Sequence, residues 1–177
     1  SYTRRLKCKD GSYKFIQWKD RQFSENLFMG IGLDVTEQVE IQNKYKNLIE
    51  NANDFIYETD SHGTFTFVNK HTELSLGYTA EELLNKEFSS LVREDYKENL
   101  IQFYNDTEIE ENDFPTLVFP VTKKNGDTLW LSQNVTIKRN DHLKIIGYTV
   151  IARDITIVKQ IEIEKLRKDR KVRTYNE

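Results

Sequence analysis

Two stretches of this chain repeat one another, and that repeat constrains the fold more than any other feature. The first reads Lys9-Asp10-Gly11-Ser12-Tyr13-Lys14-Phe15-Ile16-Gln17-Trp18, and later Gly30-Ile31-Gly32-Leu33-Asp34-Val35-Thr36. The second reads Lys124-Asn125-Gly126-Asp127-Thr128-Leu129-Trp130-Leu131, and later Gly147-Tyr148-Thr149-Val150-Ile151-Ala152-Arg153-Asp154-Ile155-Thr156. Each has an Asp-Gly or Asn-Gly turn, a strand-like run, a second turn, a second strand and an Asp-x-Thr triplet. Recurrence in a fixed order marks a duplicated supersecondary unit. Gly126 follows Gly11 by 115 residues and Asp154 follows Asp34 by 120, so the second hairpin loop is five residues longer, and Arg139-Asn140-Asp141-His142 supplies it. Only ten residues precede Gly11, so the first copy is expected to be the C-terminal part of a unit and the second copy the complete one.

The complete unit is predicted as strand, strand, short helices and three strands. Phe55 to Thr59 and Thr64 to Val68 flank a hairpin turn at Asp60-Ser61-His62-Gly63. Asn69 stands at a helix N-cap, Thr79-Ala80-Glu81-Glu82 forms a capping box, and Asp95 to Tyr104 has helical spacing. The acidic run Asp106 to Asp113 is expected as a loop before strands at Phe114 to Thr122, Thr128 to Lys138 and Lys144 to Arg153. The chain therefore divides into residues 1–36 (closing strands of a truncated unit), 37–47 (helical linker), 48–156 (complete domain) and 157–177 (exit helix). Val39, Ile41, Tyr45 and Leu48, and then Ile157, Val158, Ile161 and Leu166, form partial heptads in the two flanking helices.

Composition removes several classes of function. Of the 177 residues 37% are hydrophobic and 31% charged, which is the balance of a folded domain rather than a disordered chain. The net charge of -3 gives no electrostatic reason to expect nucleic acid, and acidic residues interleave with the basic tail Lys165 to Arg173. Apolar runs such as Thr149 to Ala152 fall far short of a membrane span. Cys8 is the single cysteine, which excludes an internal disulfide and fits the expected cytoplasmic location.

The motifs together resemble the PAS family with its C-terminal PAC motif. The residues that carry the resemblance are Asp60-x-x-Gly63, Phe67-Val68-Asn69, Leu76-Gly77-Tyr78-Thr79-x-Glu81-Glu82-Leu83, Lys124-Asn125-Gly126, Trp130 and Arg153-Asp154-Ile155-Thr156. They span Leu48 to Thr156, with Arg4 to Thr36 matching the closing strands of a second copy. The resemblance implies an α+β fold, with a five-stranded antiparallel sheet and short helices over one face. It further implies a sensing or relay role in a bacterial signalling protein such as a sensor histidine kinase, and a signalling junction at Asp34, Thr36, Asp154 and Thr156. Helix capping and pairing with a nearby cation are the local roles open to Asp34 and Asp154.

Strand parity predicts which side chains face the helices. Leu129, Leu131, Val135 and Ile137 share one face, with Gln133 as its polar member. Tyr57, Thr59, Phe65, Phe67, Leu117, Phe119, Val121, Tyr148, Val150 and Ala152 join them, with Phe88 above. Ligand-pocket candidates are accordingly Tyr57, Thr59, Phe67, Phe88, Phe119, Leu131, Gln133, Tyr148, Val150 and Ala152. Gln133 either touches a ligand or is satisfied by backbone or at the rim, and rings of this number either fill the interior or surround a small molecule. Trp130, Thr149 and Ile151 fall on the outer sheet face, where flanking helices or a second subunit would cover them.

No cofactor is predicted, and an unidentified small ligand remains open. The related LOV photosensors need a cysteine in an Asn-Cys-Arg-Phe-like motif, where this chain reads Glu87-Phe88-Ser89-Ser90, so flavin-adduct chemistry is disfavoured. Haem is disfavoured too, because His62 and His142 lie in turns and His71 at a helix start. No metal cluster, phosphate loop or catalytic constellation is visible, so the fragment is expected not to be an enzyme. The expected partners are a second copy, joined through the linker helices and outer sheet face, and a downstream output domain. The alternatives are a ligand-free dimerisation or spacer module, or an input to another output such as a cyclic-dinucleotide enzyme.

Overall fold

A computed structural model describes residues 1–25, 27–105 and 116–175. The acidic run Asp106 to Asp113 and the expected strand start at Phe114 lie outside the described residues. The chain forms two compact units, Ser1–Ile49 and Glu50–Glu177.

The first unit is a three-stranded antiparallel sheet of β1 (Tyr2–Lys7), β2 (Tyr13–Ser24) and β3 (Leu27–Asp34), followed by α1 (Thr36–Glu50). Asp10 shapes the β1–β2 turn, where its carboxylate accepts from the Ser12 N–H at 2.9 Å and Gly11 takes φ 87°. Residues of β1 and β3 are exposed along their whole length, Phe28 and Ile31 at 66% and 61%.

The second unit has a five-stranded antiparallel sheet in the order β5-β4-β8-β7-β6, the α+β architecture expected from the motifs. Its strands are β4 (Phe55–Asp60), β5 (Phe65–Val68), β6 (Leu117–Thr122), β7 (Thr128–Arg139) and β8 (Ile145–Asp154). Between β5 and β6 lie α2 (Lys70–Leu76), α3 (Ala80–Leu83), a 3-10 turn (Phe88–Leu91) and α4 (Glu94–Asn105), and α5 (Thr156–Tyr175) leaves the sheet. The duplicated turn is present again: Asn125 accepts from the Asp127 N–H at 3.0 Å and Gly126 takes φ 89°.

The core lies between the sheet and these helices. Phe55, Phe119, Leu131, Val121 and Val150 are almost fully buried from the sheet side, and Leu83, Phe88 and Leu100 close over them. Each such side chain contributes about 1.5–3 kcal/mol of burial. Asn69 fastens the helical layer to the sheet. Its side-chain oxygen accepts from the N–H groups of Ile56 and Thr72 and from the Thr72 hydroxyl, and its amide donates to the Asp54 carbonyl. The Thr79–Glu82 capping box starts α3, and Lys124 binds the same Glu82 carboxylate at 2.6 Å. Gly147 sits opposite Asp60, where a Cβ would collide with the Thr59 backbone carbonyl, so β4 and β8 can approach only with glycine there.

One parity assignment is corrected. Tyr57 pairs with Val68, Glu58 with Phe67 and Thr59 with Phe65, which leaves Thr66 as the extra residue of a β-bulge. The bulge turns Phe67 to the outer face beside Glu58, so it does not face the helices. Among the described residues no helix is long and apolar enough to cross a membrane.

Candidate functional site

Among the described residues Gln133 is the one amide on the inner sheet face, and it is completely buried in the middle of β7. Its oxygen accepts from the Tyr57 hydroxyl at 2.8 Å, and its nitrogen donates to the Tyr104 hydroxyl at 3.3 Å. Both partners are side chains of the protein itself, neither backbone nor solvent at a rim. Burial, and then the nearby Tyr104, push the Tyr57 phenol well above its ordinary value. Burial drives Tyr104 to about 12, against the lowering effect of the Gln133 bond. All three groups are therefore neutral across the physiological range.

Around this chain the interior is lined with rings. Phe88 stacks on Tyr57 at 5.3 Å and 23°, meets Phe65 edge-on at 6.0 Å, and meets Phe119 edge-on at 5.5 Å. Beneath the helices, Tyr57, Phe119, Leu131, Val150 and Ala152 are almost fully buried. An open volume lies to one side, a chamber of about 310 Å³ between the β4–β5 turn, the 3-10 turn, α4 and Tyr148. Of the sequence candidates, Thr59, Phe88 and Tyr148 line it, Gln133 stands one hydrogen bond behind it, and Phe67 is on the other face of the sheet. Sequence reasoning missed Leu100, Ile101 and Tyr104 on α4. Their i, i+1, i+4 spacing carried the signal, but the helix's rotation against the sheet is needed to read it.

A second structural feature is the Asp-x-Thr triplet, which forms the same latch in each unit. In the second unit the Thr156 hydroxyl accepts from the Trp130 N–H at 2.9 Å, the Ile155 N–H donates to the Trp130 carbonyl at 2.9 Å, and Asp154 accepts from the Thr156 N–H at 2.8 Å. In the first unit the Thr36 hydroxyl accepts from the Phe15 N–H at 2.9 Å, the Val35 N–H donates to the Phe15 carbonyl at 2.9 Å, and Asp34 accepts from the Thr36 N–H at 3.1 Å and the Thr36 hydroxyl at 2.6 Å. Asp34 also pairs with Lys14 at 2.7 Å, and the Lys14 ammonium with the Thr36 donors holds its carboxyl at about 2. Arg153 adds a bidentate pair to Asp54, at 3.0 and 3.1 Å, across the ends of β8 and β4.

Trp130 is half-buried by its own chain. Tyr96 meets it edge-on at 5.5 Å, and Arg93 and Lys159 lie over its ring at 5.7 and 5.8 Å. Farther along the outer face, Thr149 donates to Glu58 at 3.3 Å, and Ile151 is 50% exposed.

The PAS fold family model matches residues 43–155, and the chain belongs to the PAS family. Solved structures agree on the fold. The PAS domain of a Colwellia psychrerythraea protein superposes with a TM-score of 0.59 at 21% identity, covering 66% of this chain and 98% of that one. A PAS domain from a two-component sensor histidine kinase gives 0.54 at 18%, covering 66% and 99%. The sensory box histidine kinase/response regulator of Burkholderia thailandensis gives 0.58 at 14%, covering 74% and 98%. Comparison with curated proteins finds no match. A PAS domain is a sensory module and not a catalytic one.

Two outcomes follow. Gln133→Leu strands the buried Tyr57 hydroxyl and should cost about 1–3 kcal/mol in urea denaturation. Adding Tyr57→Phe should recover part of that loss, whereas strict additivity would show that the bond carries no coupling. For Asp34, a carboxyl held below its ordinary 3.8 stabilises the fold above that value and loses the contribution as pH falls from about 4 to about 2. Carboxyl NMR should give a midpoint near 2 that rises in Thr36→Val; an unmoved midpoint would remove the threonine from the latch.

Proposed function

We propose that this chain is a signal-sensing or signal-relay module of a multidomain bacterial protein, with a histidine kinase as its output. The observation that carries this reading is the latch, built twice from the same atoms, that ties the end of a sheet strand to the start of a helix. β7 holds Gln133 one hydrogen bond behind the chamber, and three residues earlier in the same strand Trp130 holds Thr156 at the head of α5. A change in the chamber that shifts β7 therefore alters the seat of the exit helix. Such a relay needs two states that differ in these contacts. The kinase output is supported by the likeness to PAS domains of histidine kinases.

The module works as a homodimer in the cytoplasm, joined through the linker helices and the outer sheet face. Ile41, Tyr45 and Leu48 on α1, and Ile157, Val158 and Ile161 on α5, are exposed and apolar, which suits helix pairing. A second subunit or further chain would complete the exposed strands of the first unit. The burial of the large rings beneath the helices favours a second reading, a ligand-free spacer, in which the latch transmits only the position of the neighbouring domains.

Thr156→Val in the full-length protein tests the relay. The substitution removes the acceptor for the Trp130 N–H while keeping the side chain's shape. Kinase autophosphorylation should then lose most of its dependence on the stimulus while the folded fraction is retained. An unchanged response ratio would contradict the reading.

A further inference from the structure

The polar chain in the interior has a direction, and its free end faces the side chamber. Tyr57 gives its proton to the Gln133 oxygen, and Gln133 gives an amide proton to the Tyr104 oxygen. The Tyr104 hydroxyl has then accepted a bond and still holds its own proton, at the wall of a chamber of about 310 Å³. Hydrogen bonds in series polarise one another, so the last donor is strengthened by those behind it.

The remaining wall fixes the shape and charge of what fits. Tyr104 and Tyr148 meet edge-on at 4.9 Å, and Phe88, backed by its stack on Tyr57, presents a third ring. Leu100 and Ile101 add aliphatic surface. Among the described residues the lining has no lysine or arginine; its titratable members besides the tyrosines are the exposed His62 of the β4–β5 turn and Glu87, whose carboxylate already accepts from the Ser89 hydroxyl at 3.2 Å. An anion would find no fixed cation there, only the solvent-exposed His62. A cation would leave the Tyr104 proton without an acceptor, and a buried donor left unpaired is costly. The volume is at the small end of ligand cavities, enough for one or two rings.

We infer that this side chamber binds a neutral, flat molecule of one or two rings bearing a hydrogen-bond acceptor, of the aryl carbonyl class, and that Tyr104 is the residue that reads the acceptor. The ligand does not touch Gln133. It accepts the free Tyr104 proton, and the amide of Gln133 and the hydroxyl of Tyr57 feel it through the chain. Burial keeps Tyr104 protonated far above neutral pH, so the donor is present at every physiological pH. The inference concerns binding alone, and stands or falls apart from the relay role.

The test compares two probes of nearly the same shape on the 177-residue chain. Acetophenone carries a carbonyl oxygen where α-methylstyrene carries a methylene group. Backbone-amide NMR titration should give saturable shifts at Thr59, Gly63, Ser89 and Tyr148 with both. Acetophenone should bind roughly fivefold more tightly, the worth of one ordinary hydrogen bond. In Tyr104→Phe both probes should bind with equal affinity. Ile101→Trp changes a residue that is 55% exposed, so the fold tolerates it, and the indole should fill the chamber and abolish binding of both. Absence of saturable shifts in the wild type, equal affinity of the two probes there, a preference that survives Tyr104→Phe, or binding that survives Ile101→Trp would each overturn the inference. If Tyr104→Phe does not fold, the wild-type preference together with Ile101→Trp decides it.

Discussion

The N–H of Trp130 is where the sheet hands over to the exit helix. Its neighbour on the edge strand is Pro120, which has no N–H to exchange, and its own amide turns the other way, to the Thr156 hydroxyl. The β7–β8 ladder runs out at Leu131 and Asp154, and the triplet continues it for one more rung with a side chain in place of a strand. Asp154 fixes the Thr156 N–H at the same time, so the first turn of α5 is set by groups the sheet has already placed. The equivalent bonds at Phe15 and Thr36 set α1 in the same manner. Position of the sheet and position of the helix thus become one variable, and the proposed relay depends on that.

The interior gives that variable something to respond to. Most of the space under the helices is taken by rings that pack against one another, and a packed core passes strain on rather than absorbing it. The polar chain through Tyr57, Gln133 and Tyr104 crosses this apolar region with its two internal bonds made, so the buried Tyr57 and Gln133 cost little at rest. Helix α4 reaches both regions, since Tyr104 borders the chamber at one end and Tyr96 packs on Trp130 at the other.

The sheet was legible in the sequence because its pleat is regular where it matters. Parity alone placed Leu129, Leu131, Gln133 and Val135 on one face of β7, and all four are buried. Parity failed at Phe67, because one bulged residue at Thr66 reverses the alternation and leaves no mark in composition. The duplicated triplet pointed to the junction, but the bond from Trp130 to Thr156 joins residues 26 apart and had no local signal. The chamber was the least legible part. Its α4 wall depends on how a helix is rotated over a sheet, a tertiary property that helical periodicity narrows without fixing. The cover over Trp130, from Arg93, Tyr96 and Lys159, was hidden for the same reason.

Native-state hydrogen exchange of the Trp130 amide tests the central claim most directly. The account predicts slow exchange in the wild type. In Thr156→Val this amide and the first-turn amide of Lys159, which bonds to the Ile155 carbonyl, should speed up together while Gln133 and Val150 stay protected. If the Trp130 amide exchanges as freely as a solvent-exposed one in the wild type, or if the helix amide keeps its protection when the latch is removed, sheet and helix are not joined there and the account fails.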